Sequence, residues 1–138
     1  MSEERAQIFD PLRKKRVALT PEERVRQFFI QWLTQERGYP LTLMMSEHTI
    51  AYNRRNYRCD IVCFGRDMHP LMVVECKSPD VKIDNAVIDQ VTRYNMALKV
   101  KYVVVTNGLT TYAFAYDETL QKYGITGDQT HRANRMTG

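Results

Sequence analysis

Hydrophobic and polar residues first settle into a regular pattern after Thr20, where the pattern predicts a helix. Thr20 is a suitable N-cap, Pro21 occupies the first helical position, and Glu23 completes a capping box. Gly38 predicts the end of the helix. Between these ends, apolar residues recur at helical spacing: Val25, Phe28, Phe29, Trp32 and Leu33.

Three apolar or alternating runs follow, and each is typical of a strand. They cover residues 47–52, 57–64 and 71–77, with short polar turns between them. Consecutive strands on short connections pair as an antiparallel meander. The sequence therefore predicts three neighbouring strands after the first helix.

The second half predicts a crossover. Residues 85–98 carry apolar positions at helical spacing, residues 102–106 form a short apolar strand, and residues 112–116 alternate as a half-buried strand does. A helix between two strands of one sheet makes a right-handed parallel crossover. The fold class is therefore α/β, with a mixed central sheet and helices on both faces.

The domain organisation follows from the same pattern. With 138 residues the chain is long enough for one domain with its own core. Residues 20–123 are the predicted domain, residues 1–19 an N-terminal arm, and the polar residues 124–138 a tail that we expect to leave the fold. We see no signal peptide and no membrane-spanning run, which makes the cytoplasm the expected location and excludes a membrane role.

The charge permits a polyanionic partner. The net charge is +4 and the pI is about 9.0, and basic residues cluster on both sides of the candidate site described next. The nucleic-acid-binding candidates in these clusters are Arg13, Lys14, Lys15, Arg16, Arg54 and Arg55. A basic cluster is also a common solvated surface, so charge alone does not decide the partner.

Three charged residues interrupt apolar strands. Glu75 and Lys77 end the third strand with one residue between them, so alternation puts both on one face. Asp60 lies in the neighbouring strand, at the same parity as Val62 and Phe64. Charges in such places are costly unless they pair or bind a metal. Two carboxylates and an ammonium are what a Mg²⁺-dependent phosphodiesterase needs.

Other features have simpler interpretations beside the chemical ones. Asp80 and Lys82 repeat the acid-x-lysine spacing but lie in a loop, so we expect Lys82 at most to touch phosphate. Gln90 and Tyr94 share a helix face, where a core tyrosine and a solvated glutamine are the simpler interpretation. The three cysteines form no C-x-x-C pair, and small core thiols are a better interpretation than zinc ligands.

These motifs together resemble the PD-(D/E)xK nuclease superfamily. The order is Asp60, then Glu75-x-Lys77, then Gln90-x-x-x-Tyr94, after a helix that carries Glu22 or Glu23. More narrowly, the chain resembles the N-terminal nuclease domain of type I restriction enzyme R subunits, over about residues 8–117. The resemblance implies a restriction-endonuclease-like fold, with an antiparallel meander plus a parallel crossover strand.

The resemblance also implies roles for these residues. Asp60, Glu75 and the carbonyl of Cys76 would bind Mg²⁺ or Mn²⁺, and Lys77 would activate water and stabilise charge on the phosphate. Gln90 and Tyr94 would line the site. Of the two helix carboxylates, Glu22 is preferred, because it shares a helix face with Val25 and Phe29, whereas Glu23 is used by the capping box.

Partners and alternatives remain open at this stage. DNA is the expected partner, together with other restriction-system subunits that include a separate motor, because the chain has no G-x-x-x-x-G-K-[ST] motif. One alternative is a non-catalytic nucleic-acid-binding or assembly module. Another is a structure-selective nuclease such as a junction resolvase, which would require a symmetric dimer.

Overall fold

A computed structural model describes residues 6–131 of this chain. Two helices and eight strands make up its regular structure, and a 3₁₀ turn at Leu41–Leu43 precedes the third strand. In chain order they are β1 Gln7–Asp10, β2 Lys15–Ala18, α1 Pro21–Arg37, β3 Met44–Tyr52, β4 Arg55–Phe64, β5 Pro70–Cys76, α2 Asn85–Met96, β6 Tyr102–Thr106, β7 Thr110–Asp117 and β8 Lys122–Thr130.

Helix α1 begins and ends where the sequence predicts. The hydroxyl of Thr20 accepts a hydrogen bond from the backbone N–H of Glu23 at 3.1 Å, and Pro21 opens the helix. Gly38 follows the last turn with φ 67°, a left-handed conformation that glycine adopts without strain. Both caps satisfy backbone groups that a helix end leaves unpaired.

The main sheet has six strands in the order β3-β4-β5-β6-β7-β8. Neighbouring strands are antiparallel except β5 and β6, which are parallel and enclose α2 in their connection. The predicted α/β fold, with an antiparallel meander and one parallel crossover pair, is therefore confirmed.

The sheet separates two apolar cores. On one face, Val25 and Phe29 of α1 pack with Val74 of β5. On the other face, Val91 of α2 packs with Val73, the neighbour of Val74 along β5. Alternation along a strand explains this division, because successive side chains point to opposite faces.

Near both ends of the described residues, regular structure extends beyond the predicted domain of residues 20–123. Strands β1 and β2 form a separate antiparallel hairpin in which Asp10 is fully buried, so the arm is folded from residue 6 onward. Strand β8 pairs with β7 along its length, so the expectation that the tail leaves the fold at residue 124 is wrong. An edge strand can be polar because its backbone hydrogen bonds, rather than an apolar face, hold it to the sheet. Residues 1–5 and 132–138 lie outside the described residues.

Neither of the two helices in residues 6–131 is both long enough and apolar enough to cross a membrane.

Candidate active site

The candidate site lies where β4 and β5 separate. Their ladder ends at the pair Ile61 and Val74. One residue before Ile61, the Oδ2 atom of Asp60 accepts a hydrogen bond from the backbone N–H of Cys76 at 2.8 Å. Beyond the end of the β4–β5 ladder, the Asp60 carboxylate thus accepts the N–H of β5 in place of a backbone carbonyl. This hydrogen bond fixes the side chain beside the end of β5.

Strand β4 does not alternate regularly at Asp60. Cys59 and Val62 both belong to the core on the α2 face. They are three positions apart, and in a regular strand this spacing would place them on opposite faces. Across the sheet, the β3–β4 pairing leaves out Glu47, whose φ is 49°, together with Asp60 opposite it, and the register is the same on both sides of this gap. Asp60 therefore turns towards α1, where its Oδ1 atom lies 3.4 Å from Nη2 of Arg26. The expectation that Asp60 shares the face of Val62 and Phe64 is wrong for this reason.

Glu75 lies directly against Asp60. The two carboxyl groups repel each other when both are charged, and they can share a hydrogen bond when Glu75 is protonated. Burial, and then the negative charge of Asp60, raise the pKa of Glu75 to about 8, although the positive charges of Lys77 and Arg26 oppose the rise. Near neutral pH Glu75 is therefore mostly protonated beside Asp60.

Lys77 and Glu75 share one cavity with the second helix. Lys77 follows β5, and its backbone N–H donates to the carbonyl of Thr106 at 2.8 Å. The cavity has a volume of about 220 Å³ and is lined by Arg58, Glu75, Lys77, Gln90, Val91 and Tyr94. The structure therefore brings the three predicted elements together: the acid pair, the lysine and the Gln-x-x-x-Tyr helix.

Tyr94 is not the core aromatic of the simpler interpretation. Its side chain is 42% exposed, its hydroxyl accepts a hydrogen bond from the backbone N–H of Arg58 at 3.1 Å, and its ring packs edge-on against Tyr57. Gln90 is exposed one helical turn earlier. Both side chains stand at the opening of the cavity, where a ligand could reach them.

The two carboxylates at the start of α1 are arranged opposite to the prediction. Glu22 is exposed, whereas Glu23 is buried. The Glu23 carboxylate accepts hydrogen bonds from Arg26 at 3.1 Å and from Gln27 at 3.0 Å. The preference for Glu22 was wrong about orientation, because the first turn of α1 faces positive side chains that draw Glu23 inward.

The donor atoms at this site suit a hard divalent cation. Among residues 6–131, no group of three or more His, Cys, Asp or Glu side chains could hold a metal ion. Asp60 and Glu75 instead offer two carboxylates, and the carbonyl of Cys76 would add a third oxygen. Burial raises the pKa of the Cys76 thiol well above its ordinary value, so its sulfur stays protonated and is a poor ligand. The raised pKa of Glu75 shows that the positive charges of Lys77 and Arg26 do not fully offset its burial and the charge of Asp60.

The predicted core thiols are confirmed, since Cys59, Cys63 and Cys76 are free and buried.

Most of the basic candidates are exposed. They are Lys14, Lys15, Arg16, Arg54, Arg55 and Lys82. Arg13 differs, because its guanidinium turns inward to the carboxylates of Asp10 and Glu23. This corrects the prediction that Arg13 is a nucleic-acid contact. Its guanidinium pairs with two buried carboxylates instead of pointing into solvent.

Sequence reasoning missed Arg26 and Glu47 as parts of this site. Arg26 follows Glu23 by three residues, a spacing that places both on one helix face and could have suggested a buried ion pair. Glu47 gave no such signal. Its carboxylate approaches three arginines, of which Arg58 is the nearest at 3.1 Å, from a backbone position with φ 49°.

Comparison with known proteins agrees with this architecture. The family model described as type I restriction enzyme R protein N terminus matches residues 21–127. A solved fragment of a putative HsdR subunit of a type I restriction enzyme from Vibrio vulnificus YJ016 has a similar fold, with a TM-score of 0.55 and 20% sequence identity. That match covers 78% of this chain and 23% of the solved chain. No curated protein matches the sequence.

Proposed function

The chain belongs to the family of type I restriction enzyme R protein N termini, and on that premise we propose that it hydrolyses DNA phosphodiester bonds with the help of Mg²⁺. One observation carries the proposal: Glu75, whose carboxyl group interacts with that of Asp60, lines one cavity together with Lys77. A partly buried pair of acids costs stability, and acids whose pKa is perturbed in this way are typical of active sites. The family context makes a restriction-type endonuclease the best interpretation.

Asp60, Glu75 and the Cys76 carbonyl would hold the cation. The fixed carboxylate of Asp60 and the partly buried carboxylate of Glu75 supply oxygen donors, which Mg²⁺ and Mn²⁺ prefer. When bound, such an ion polarises the phosphate and lowers the pKa of a coordinated water. In this structure Asp60 is already held by the N–H of Cys76, so its position is set before any ion binds.

Lys77 would act on water and phosphate. Its backbone is tied to Thr106 of β6, so the ammonium projects from a fixed strand end into the cavity it shares with Glu75. There it would orient the attacking water and stabilise the negative charge that develops on the phosphate oxygens. No covalent enzyme intermediate is required.

Gln90 and Tyr94 would position the DNA backbone at the opening of the cavity. The exposed basic residues supply sequence-independent attraction to phosphates, so we propose that binding is mainly to the backbone and strongly salt-dependent. We further propose that the domain works in the cytoplasm with other restriction subunits, one of them a motor. The chain spans 23% of the solved HsdR-type chain that it resembles, which leaves room for such functions elsewhere.

A second candidate function is a non-catalytic DNA-binding or assembly module. It is favoured by one observation: both oxygens of Asp60 already have protein partners, namely Arg26 and the N–H of Cys76. A carboxylate that is satisfied in this way could persist without an ion.

Replacement of Lys77 distinguishes the two functions. For Lys77→Ala we expect cleavage of plasmid DNA to fall by about 10²-fold or more, with DNA affinity within about twofold of the wild type, because one phosphate contact is a small part of binding. Lys122→Ala is the matched control, since Lys122 is exposed on β8. Undiminished Mg²⁺-dependent cleavage by Lys77→Ala would refute the assigned role, and cleavage by neither variant nor wild type would favour the binding module.

A further inference from the structure

A row of alternating charges runs from the N-terminal hairpin to Asp60. We call it the charged row, and its members in spatial order are Asp10, Arg13, Glu23, Arg26 and Asp60. Arg13 forms an ion pair with Asp10, and its Nη2 atom lies 2.5 Å from Oε1 of Glu23. The same Oε1 atom accepts from Nη1 of Arg26 at 3.1 Å, and Nη2 of Arg26 reaches Asp60 at 3.4 Å.

The charged row is mostly buried, which makes it costly to build. Asp10 is fully buried, and Glu23 and Arg26 are 6% and 5% exposed. Buried ion pairs often add nothing to stability compared with apolar residues of similar volume, because desolvation offsets their attraction. Stability alone therefore does not account for the charged row.

The row fixes the orientation of one carboxylate. Arg26 holds Oδ1 of Asp60, while the N–H of Cys76 holds Oδ2. Arg26 is itself fixed because Glu23 binds it, and Glu23 is held in turn by Arg13 and by Gln27. Two restraints on two oxygens define the plane of the Asp60 carboxylate.

We propose that Arg26 is a positioning residue that orients Asp60 to bind a divalent cation, and that the hairpin β1–β2 anchors Arg26 through Arg13 and Glu23. This inference rests on the proposed function. It adds to that function a second layer of the site, part of which lies before residue 21, where the match to the family begins. Partners that orient a metal ligand commonly change metal affinity by 10–100-fold when they are removed.

Calorimetric titration of Mn²⁺ into the full chain tests the proposal without any turnover. Arg26→Met removes the charge at similar volume, and Arg26→Lys keeps the charge but loses the planar fork. We expect Arg26→Met to bind Mn²⁺ at least about tenfold more weakly than the wild type, and Arg26→Lys to recover part of the loss. Arg37→Met is the matched control, because Arg37 is exposed in the last turn of the same helix, and its Mn²⁺ affinity should equal that of the wild type.

A variant in the hairpin covers the case in which Arg26→Met does not fold. Arg13→Met leaves Arg26 in place but removes its anchor, so we expect a smaller weakening of Mn²⁺ binding, about threefold or more, with an unchanged circular dichroism spectrum. This readout separates positioning from general stabilisation, because a purely structural residue would lower the unfolding midpoint without changing the affinity of the folded protein.

The outcomes are distinguishable. Weaker Mn²⁺ binding in the Arg26 and Arg13 variants, with the Arg37 control unchanged, supports the inference. Mn²⁺ affinities of the Arg26 and Arg13 variants that equal the wild-type affinity overturn the inference but leave the proposed function standing. Tighter binding by Arg26→Met also overturns it, because Arg26 would then compete with the ion for Asp60. A wild type that binds no Mn²⁺, even with DNA present, refutes the proposed function, and the inference falls with it.

Discussion

Replacement of Glu75 by glutamine should stabilise the metal-free protein at neutral and alkaline pH. Glu75 is pressed against Asp60 in a partly buried position, and its pKa rises from 4.5 to about 8. Glutamine has nearly the same shape, carries no charge, and can still donate a hydrogen bond to Asp60. Glu75→Gln therefore reproduces the protonated state of the acid at every pH.

The expected magnitude follows from proton linkage. The unfolded chain releases this proton near its ordinary pKa of 4.5, whereas the folded chain retains it to about pH 8. The contribution of Glu75 to stability is therefore greatest below pH 4.5 and falls as the pH rises through the window between these two values. One pKa unit corresponds to about 1.4 kcal/mol, so at pH 7 the loss amounts to at most about 3 kcal/mol. Structural relaxation around the pair would reduce it to about 1–3 kcal/mol.

Urea denaturation in the presence of a chelator, at about pH 5 and about pH 8, measures this effect. We expect the wild type to lose stability between the two values relative to Glu75→Gln, and Glu75→Gln to be the more stable protein at the higher pH. Glu118→Gln is the control, because Glu118 is exposed between β7 and β8 and should follow the wild type. An equal change with pH in the wild type and Glu75→Gln would refute the reasoning about the acid pair.

Three further predictions concern the helix start, the hairpin and the basic surface. Thr20→Ala should lower the free energy of unfolding by about 1 kcal/mol in urea denaturation, because the N-cap bond to Glu23 is lost; no change would contradict the cap. Burial alone would raise the pKa of Asp10, but hydrogen bonds from Arg13 and the N–H of Leu12 hold it below the ordinary value of 3.8. The resulting stabilisation is present above pH 3.8 and is lost as the pH falls through the lowered pKa, so Asp10→Asn should cost about 1–3 kcal/mol near pH 7 and flatten the acid-unfolding curve; an unchanged curve would contradict this. Arg54→Ala should reduce the salt dependence of DNA binding by about one phosphate contact in fluorescence anisotropy, and a slope equal to the wild type would remove Arg54 from the interface.

Local signals predicted most of the fold. The apolar strand at residues 102–106 matches β6 residue for residue, and the caps at Thr20 and Gly38 match both ends of α1. These elements were predictable because their signals are short-range: a cap bonds to a residue three positions away, and a buried strand is a continuous apolar run. Strand β8 was not predictable in this way, because pairing with β7 holds it in the sheet and its own polar sequence carries no strand signal.

The site was predictable in its members but not in its arrangement. The sequence motifs pointed to four residues that line one cavity in the structure: Glu75, Lys77, Gln90 and Tyr94. The direction of Asp60 depended on a left-handed residue in a different strand, Glu47. No hydrophobic period in the sequence reveals such a left-handed residue.

The prediction that Glu22 rather than Glu23 points inward was wrong for a similar reason. Helical spacing placed Glu22 on the face of Val25, but Arg13 from the hairpin and Arg26 from the next turn surround Glu23 instead. Because Arg13 belongs to a separate hairpin, its contact with α1 is a tertiary event that a helix pattern cannot predict.

The most direct test of the central claim is a Mn²⁺ titration of the wild type and of Glu75→Ala, followed by incubation of both proteins with plasmid DNA. The account predicts that the wild type binds the ion and nicks the plasmid, and that Glu75→Ala does neither while it remains folded. Equal ion binding by both proteins would contradict the assignment of the site to Asp60 and Glu75. Absence of ion binding by the wild type, even with DNA present, would contradict the nuclease function itself.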